Sequence, residues 1–110
     1  MRSFAKRKRI EDPKMIERVR KYPCTACGRI GPSDPHHVTT VKAGGGDTAD
    51  NLMPLCRLHH VAWHQMGVGH MVRTFPRVKQ WLEFAYRIDV LERVERAEKC
   101  IQTFTLSVSA

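Results

Sequence analysis

Five of the six histidines lie between residues 36 and 64, as His36-His37, His59-His60 and His64, and Cys24, Cys27 and Cys56 stand close to them. Imidazole ligates transition metals and exchanges a proton near neutral pH, and thiolate is a soft metal ligand. Cys24-x2-Cys27 and Cys56-x2-His59 form two knuckles, which together supply the four donors of a tetrahedral Zn²⁺. Thr25, Ala26 and Gly28 offer little apolar surface, which disfavours reading these cysteines as plain core thiols. A closed zinc of this kind contributes on the order of 10 kcal/mol to folding. His60 and His64 stand at i and i+4 on a predicted helix and can share a second ion, while His59 is turned about 100° from His60. The x2 spacing favours His59 for the zinc. Cys56 with His60, leaving His59 over, is the alternative pairing. On a strand His36 and His37 point to opposite faces. One of them can then ligate an ion while the other faces a substrate and takes a proton from water, since an ordinary imidazole titrates near ~6.5.

These side chains need elements to carry them. Asp12-Pro13 reads as N-cap and first turn of a helix running to about Lys21, with Met15, Ile16 and Val19 as its apolar stripe and Tyr22-Pro23 as its stop. A tight turn comes next at Cys24–Gly28, then a loop over 31–35. His37–Val41 is predicted as a short strand, Gly44–Asp47 as a flexible excursion, and Asn51–Leu55 as a second strand, at an edge or irregular because of Pro54. A helix should open at Arg57 and end near Gln65, before Gly67. Val78, Trp81, Leu82 and Ala85, then Val90, Val94, Ala97 and Ile101, give the stripes of two further helices with a bend near Asp89. Thr103–Ala110 reads as a frayed tail, and Cys100 as a thiol without a role.

The chain has 110 residues, which bounds it to one domain with a modest core. Its net charge is +8, and a surplus of that size favours a polyanionic partner. Much of it sits at the start: Arg2, Lys6, Arg7, Lys8, Arg9, Lys14, Arg18, Arg20 and Lys21 face only Glu11, Asp12 and Glu17. No apolar run reaches membrane-spanning length and no signal-peptide pattern opens the chain, so no membrane role and a cytoplasmic setting are expected. Cysteines there stay reduced, which favours metal ligation over disulfides.

The ordered set His36-His37-Val38, Gly45-Gly46-Asp47, Asn51-Leu52 and Leu55-Cys56-x2-His59-His60-x3-His64 resembles the HNH endonuclease family, whose core is the ββα-metal or His-Me finger. The resemblance covers about residues 24–64, and the small zinc-bearing phage and prophage members are the most similar. It implies an α+β fold: a small zinc-stabilised ββα-metal core with flanking N- and C-terminal helices. The corresponding division is a basic flexible arm at 1–11, a nuclease core at 12–70, a helical extension at 71–104 and a tail at 105–110. By the same resemblance His37 is the general base. His36, His60 and His64 hold the catalytic ion, and Asn51 either pins the loop that orients the base or touches the metal. Cys24, Cys27, Cys56 and His59 hold a structural Zn²⁺. His59 stands where many members have Cys, and His36 where an acid is more frequent. The catalytic ion is therefore one that accepts imidazole, with Mn²⁺, Mg²⁺, Ni²⁺ and Zn²⁺ all open.

The implied activity is metal-dependent hydrolysis of a nucleic-acid phosphodiester, double-stranded DNA above all, leaving 5′-phosphate and 3′-hydroxyl ends. The motif helix would lie near the minor groove, with the basic N-terminus, Arg57 and Lys42 on phosphates. The setting would be the bacterial host cell of a phage or prophage, with a homodimer or a phage or host protein as further partners. The alternative is a zinc-stabilised nucleic-acid-binding module without catalysis, which accounts for the charge and the knuckles but not for the register of the remaining histidines. A third reading is a docking surface on Trp81, Phe84, Tyr86 and Leu91, against which a core packed over the zinc hairpin is the expectation.

Overall fold

The computed structural model describes residues 8–109, and the side chains of residues 8–101. Helix α1 (Pro13–Arg20) starts as the sequence indicates. The Asp12 carboxylate accepts the Met15 amide at 3.2 Å, and Pro13 occupies the first turn. Only Val19 of this helix is buried. Ser33 fastens the end of α1 to the first strand: its amide donates to the Arg20 carbonyl at 2.9 Å and its hydroxyl to the Tyr22 carbonyl at 2.6 Å.

Strand β1 is Asp34–His37, earlier than the predicted His37–Val41. The β-branched run at 38–41 suggests a strand, but residues 34–37 are the ones that find a partner. Strand β2 (Leu52–Leu55) pairs with them antiparallel, Asp34 opposite Leu55 and His37 opposite Leu52. Pro35 faces Pro54, so neither has an N–H to offer the other. The Pro54 carbonyl instead accepts the Thr25 amide at 2.8 Å, which seats the cysteine turn on the hairpin. All four residues of β2 are buried.

The segment between the strands is built rather than flexible. A short 3₁₀ turn at Val41–Ala43 is capped by Thr40 and closed by Gly44 at φ 94°. Gly45 has no alternative: a Cβ there would run into the Thr39 carbonyl oxygen and lie 2.7 Å from Asn51 Nδ2.

Helix α2 opens at Arg57 as expected and continues to Thr74. The helical backbone does break at Gly67 (φ 86°, ψ 165°) but resumes at once, so the expected stop near Gln65 is a kink. The expected boundary after residue 70 thus falls within α2. Helices α3 (Pro76–Phe84) and α4 (Ile88–Ser109) come next, separated before Asp89 as predicted. No glycine or proline occurs beyond Pro76, and α4 accordingly runs through the expected tail to Ser109. No helix among the described residues is long and apolar enough to cross a membrane.

The core joins Met53 and Leu55 of β2 to Trp63 and Met71 of α2, Val78 and Leu82 of α3 and Val90 of α4, with Cys24 and Cys56 at its edge. The aromatic set at the α3 end departs from the packed-core expectation: Phe84 and Tyr86 are exposed, and only Trp81 and Leu91 pack partly against the core. The described residues form an α+β fold, a two-stranded hairpin with four α-helices.

Candidate metal centres and catalytic histidine

Two donor clusters flank the start of α2. The first is Cys24, Cys27, Cys56 and His59, whose ligand atoms all lie within 4.8 Å of one another. Gly28, at φ 76°, lets the turn fold back so that its amide reaches the Cys24 carbonyl at 2.8 Å. Cys27 Sγ lies 3.9 Å from Cys56 Sγ, and His59 Nδ1 lies 3.2 Å from Cys56 Sγ and 3.7 Å from Cys24 Sγ. A tetrahedral zinc with Zn–S near ~2.3 Å separates its sulfurs by about 3.8 Å, and sulfur from nitrogen by about 3.6 Å. The cluster can hold a metal ion such as zinc without rearrangement. Burial pushes the Cys24 thiol up, but amide hydrogen bonds from Cys56, Cys27 and Ala26 outweigh it and hold the thiol below its ordinary range. Of the two histidines, His59 is the one that turns to the sulfurs.

His60 turns the other way and meets His36 and His64, and the ligand atoms of these three also lie within 4.8 Å of one another. His60 Nε2 is 3.3 Å from His64 Nε2, close to the about 3.4 Å edge of a tetrahedron with metal–nitrogen bonds near ~2.05 Å. His60 Nδ1 lies 3.0 Å from the Asp34 carboxylate, which also pairs with Arg57 Nε at 3.2 Å. Nδ1–H donating to a carboxylate keeps the ring proton on that nitrogen and leaves the Nε2 lone pair for a metal, the arrangement common behind metal-bound imidazoles. His36 is 3 % exposed, lies against Trp63 with ring centres 4.4 Å apart, and its Nε2 is buried without any hydrogen-bond partner. A buried polar atom left unpaired is costly. An ion shared with His60 and His64 would satisfy it, so the donor set fits a metal. Burial, then the neighbouring His60 and His64, push His36 down to about 3, so its imidazole is neutral, the form able to ligate a metal.

His37, the next residue on β1, takes the opposite direction, as strand alternation requires. Its Nε2 lies 2.8 Å from Asp47 Oδ1. Asp47 also accepts Arg9 Nη1 at 2.8 Å and the Asp12 amide at 3.0 Å. The hydrogen bond to His37 first, and Arg9 with it, hold the Asp47 carboxyl down at about 2 against the opposing effect of burial. An ionised carboxylate only accepts. His37 therefore carries its proton on Nε2, and Nδ1 is the nitrogen left to take another.

The comparisons find nothing. No protein-family model matches the chain, and neither does any curated protein or solved structure. What the site can do has to come from its own atoms.

Asn51, 4 % exposed, is a loop pin. Its Oδ1 accepts the Thr39 amide at 2.7 Å, and its Nδ2 donates to the Thr39 and Gly46 carbonyls, each at 3.0 Å. It ties the residues just after β1 to those just before Asp47. Of the two roles expected for it, the geometry fits the first.

The structure thus brings together every residue expected in the two ligand sets, and turns His37 away from both. The parts played by four residues are not legible in the sequence. Asp34 falls in a stretch that reads as loop, although an acid three residues before a candidate base is a signal worth testing. Asp47 is legible as the acid of the Gly-Gly-acid loop, but its bond to His37 is not. Arg9 lies in an arm expected to be mobile, yet Arg9, Ile10 and Asp12 are bonded to the Gly45–Asp47 segment. Trp63 carries no sequence signal of its own. Arg2, Lys6 and Arg7 of that arm lie outside the described residues. Of the cations expected on phosphates, Arg57 is exposed but paired with Asp34, and Lys42 is exposed on the 3₁₀ turn. Cys100 is exposed and free.

Proposed function

We propose that this chain is a metal-dependent endonuclease of the HNH, or His-Me finger, type, hydrolysing phosphodiester bonds of nucleic acid, DNA before RNA. The order β1, pinned loop, β2, α2 matches the ββα-metal plan that the resemblance implies, with Cys24, Cys27, Cys56 and His59 as its zinc staple. The observation that carries the reading is the division of labour between adjacent strand residues. His36 presents an unpaired buried nitrogen towards His60 and His64, while His37 is fixed to an ionised acid with one ring nitrogen free.

In this reading His37 Nδ1 takes the proton of the attacking water, and Asp47 stabilises the imidazolium that results. His36, His60 and His64 would hold a divalent ion, which supplies Lewis-acid stabilisation for charge building on the phosphate oxygens. Asp34 keeps His60 in its ligating tautomer, and Trp63 fills the wall behind His36. The net charge of +8 supplies affinity without sequence information.

The test is incubation with supercoiled plasmid across Mn²⁺, Mg²⁺, Ni²⁺ and Zn²⁺, with His37→Ala alongside. Wild type should relax or linearise the plasmid with at least one of these ions. The variant should bind DNA with the same salt dependence and leave it intact. Equal cutting by both proteins rejects the assignment of His37, and no cutting under any of the four ions rejects the nuclease reading.

A further inference from the structure

One side chain from the C-terminal half reaches the pinned loop. At the end of α3 the Leu82 carbonyl accepts the Arg87 amide at 2.8 Å, with Tyr86 held at φ 54° between them. This is a helix-ending turn that ordinarily takes glycine, and a tyrosine there costs about 1 kcal/mol. Its consequence is the direction of the next residue. Arg87 Nη1 donates to Asn51 Oδ1 at 3.0 Å and to the Asp50 carbonyl at 3.2 Å. Nη2 donates to Thr39 Oγ1 at 2.7 Å and to Asp89 Oδ2 at 3.1 Å, and Nε to Asp89 Oδ1 at 3.1 Å.

A guanidinium has five N–H bonds, and all five end on partners within the chain. The side chain is 11 % exposed. An arginine near a site for polyanions would ordinarily be read as a phosphate contact, but this one has no donor left to give. Its partner is equally complete. The Asn51 carboxamide has two hydrogens, on the Thr39 and Gly46 carbonyls, and two lone pairs, taken by the Thr39 amide and Arg87. Without Arg87, one lone pair is left over and the amide loses the contact that fixes it from outside the loop.

We infer that Arg87 is a positioning residue of the reaction, holding Asn51 and through it the Thr39–Gly46 loop that carries Asp47 to His37. The inference rests on the reading of His37 as the base, and it makes α3 and α4 part of the catalytic apparatus rather than an appendage.

The test is steady-state cleavage by Arg87→Ala, Asn51→Ala and the double variant. A misplacement of about 1 Å in a catalytic group costs about 100-fold. Arg87→Ala should therefore lower kcat by roughly 10- to 100-fold with KM for DNA changed less than about twofold. If Arg87 acts through Asn51, the double variant is no slower than Asn51→Ala alone. Added guanidinium ion should restore part of the Arg87→Ala rate and leave Asn51→Ala unmoved, and Arg87→Lys, lacking the planar fork, should behave closer to alanine than to wild type. A raised KM with kcat kept identifies a phosphate contact and overturns the inference, as do losses that multiply in the double variant. Amide hydrogen exchange supplies an arm independent of cleavage. Arg87→Ala should speed exchange at the Thr39 and Asp47 amides while Cys24 and Gly28 keep their protection. Unchanged exchange at Thr39, or a uniform rise across the chain, overturns the positioning role even if the wild type cuts nothing.

Discussion

Cys56 and His59 open α2 and face the Cys24–Cys27 turn, whereas His60 and His64, further along the same helix, face β1. The first cluster has four donors at the separations of a closed tetrahedron, two of them deeply buried. The second has three, one buried and one exposed, so an ion held there would keep coordination positions for other ligands. Its surroundings differ as well. The cysteine cluster is set by a turn and a helix start. The histidine cluster is backed by Asp34 and Trp63 and stands beside a separately oriented imidazole. One helix turn thus separates a site suited to hold the chain together from one suited to act on something outside it.

Breaking the closed cluster should have the largest effect. A structural zinc contributes on the order of 10 kcal/mol, comparable to the whole stability of a domain. Cys56→Ser should lose the far-ultraviolet helical signal at 25 °C, together with both metals and all cleavage. A strong chelator should do the same to wild type. A variant that melts within a few degrees of wild type would show that the hairpin and helices stand without this ion.

The open cluster should respond in the opposite manner. His64 is exposed and outside the core, so His64→Ala should leave the melting temperature of the zinc-loaded chain within about 2 °C. Metal analysis after gel filtration should fall from two ions per chain to one, with cleavage down roughly 100-fold or more. One ion per wild-type chain would instead favour binding without catalysis.

How far the sequence reveals this contrast depends on the reach of the contacts. Both knuckles are local, so residue spacing displays the closed set directly. His60 and His64 are legible as an i,i+4 pair, but their meeting with His36 needs the hairpin register, His36 opposite Met53, which no strand propensity announces. The helix start at Asp12 is visible because its cap is local. The rigid Gly44–Asp47 loop is not, because glycine signals only permission, and what stiffens the loop is Asn51 and Arg87 from other segments.

Asp47 tests the open region through its charge. Its carboxyl lies at about 2 in the folded chain against an ordinary 3.8. A carboxyl lowered on folding stabilises the native state fully above its unfolded value, and the contribution is lost as pH falls through about 2. Asp47→Asn should therefore cost roughly 1–2 kcal/mol at pH 6, allowing for screening. Urea melts at pH 6 and above read that cost while the thiolates still hold zinc; in more acid solution the cysteines take protons, release the ion and unfold both chains alike. Cleavage should fall roughly 10- to 100-fold, as for other groups that orient an imidazole, while both metals stay bound. Equal stability of the two proteins at pH 6 would mean that the folded chain does not favour the ionised carboxylate at this position.

Arg9→Ala should have the smallest effect, and it tests whether the arm belongs to the open region. Arg9 gives Asp47 one of its three partners, and the other two, His37 and the Asp12 amide, remain when it is removed. The side chain is about a quarter exposed, so its ion pair contributes about 0.5–1 kcal/mol. Without it the Asp47 carboxyl should titrate higher than in wild type, because the guanidinium is one of the groups that hold it down. Because the His37–Asp47 bond persists, kcat should fall only about two- to fivefold, whereas binding of DNA should weaken by the loss of one cation and its salt dependence become slightly shallower. A fall in kcat as deep as that of Asp47→Asn would place Arg9 within the orienting pair itself, and the boundary between arm and catalytic loop would have to be redrawn at residue 9.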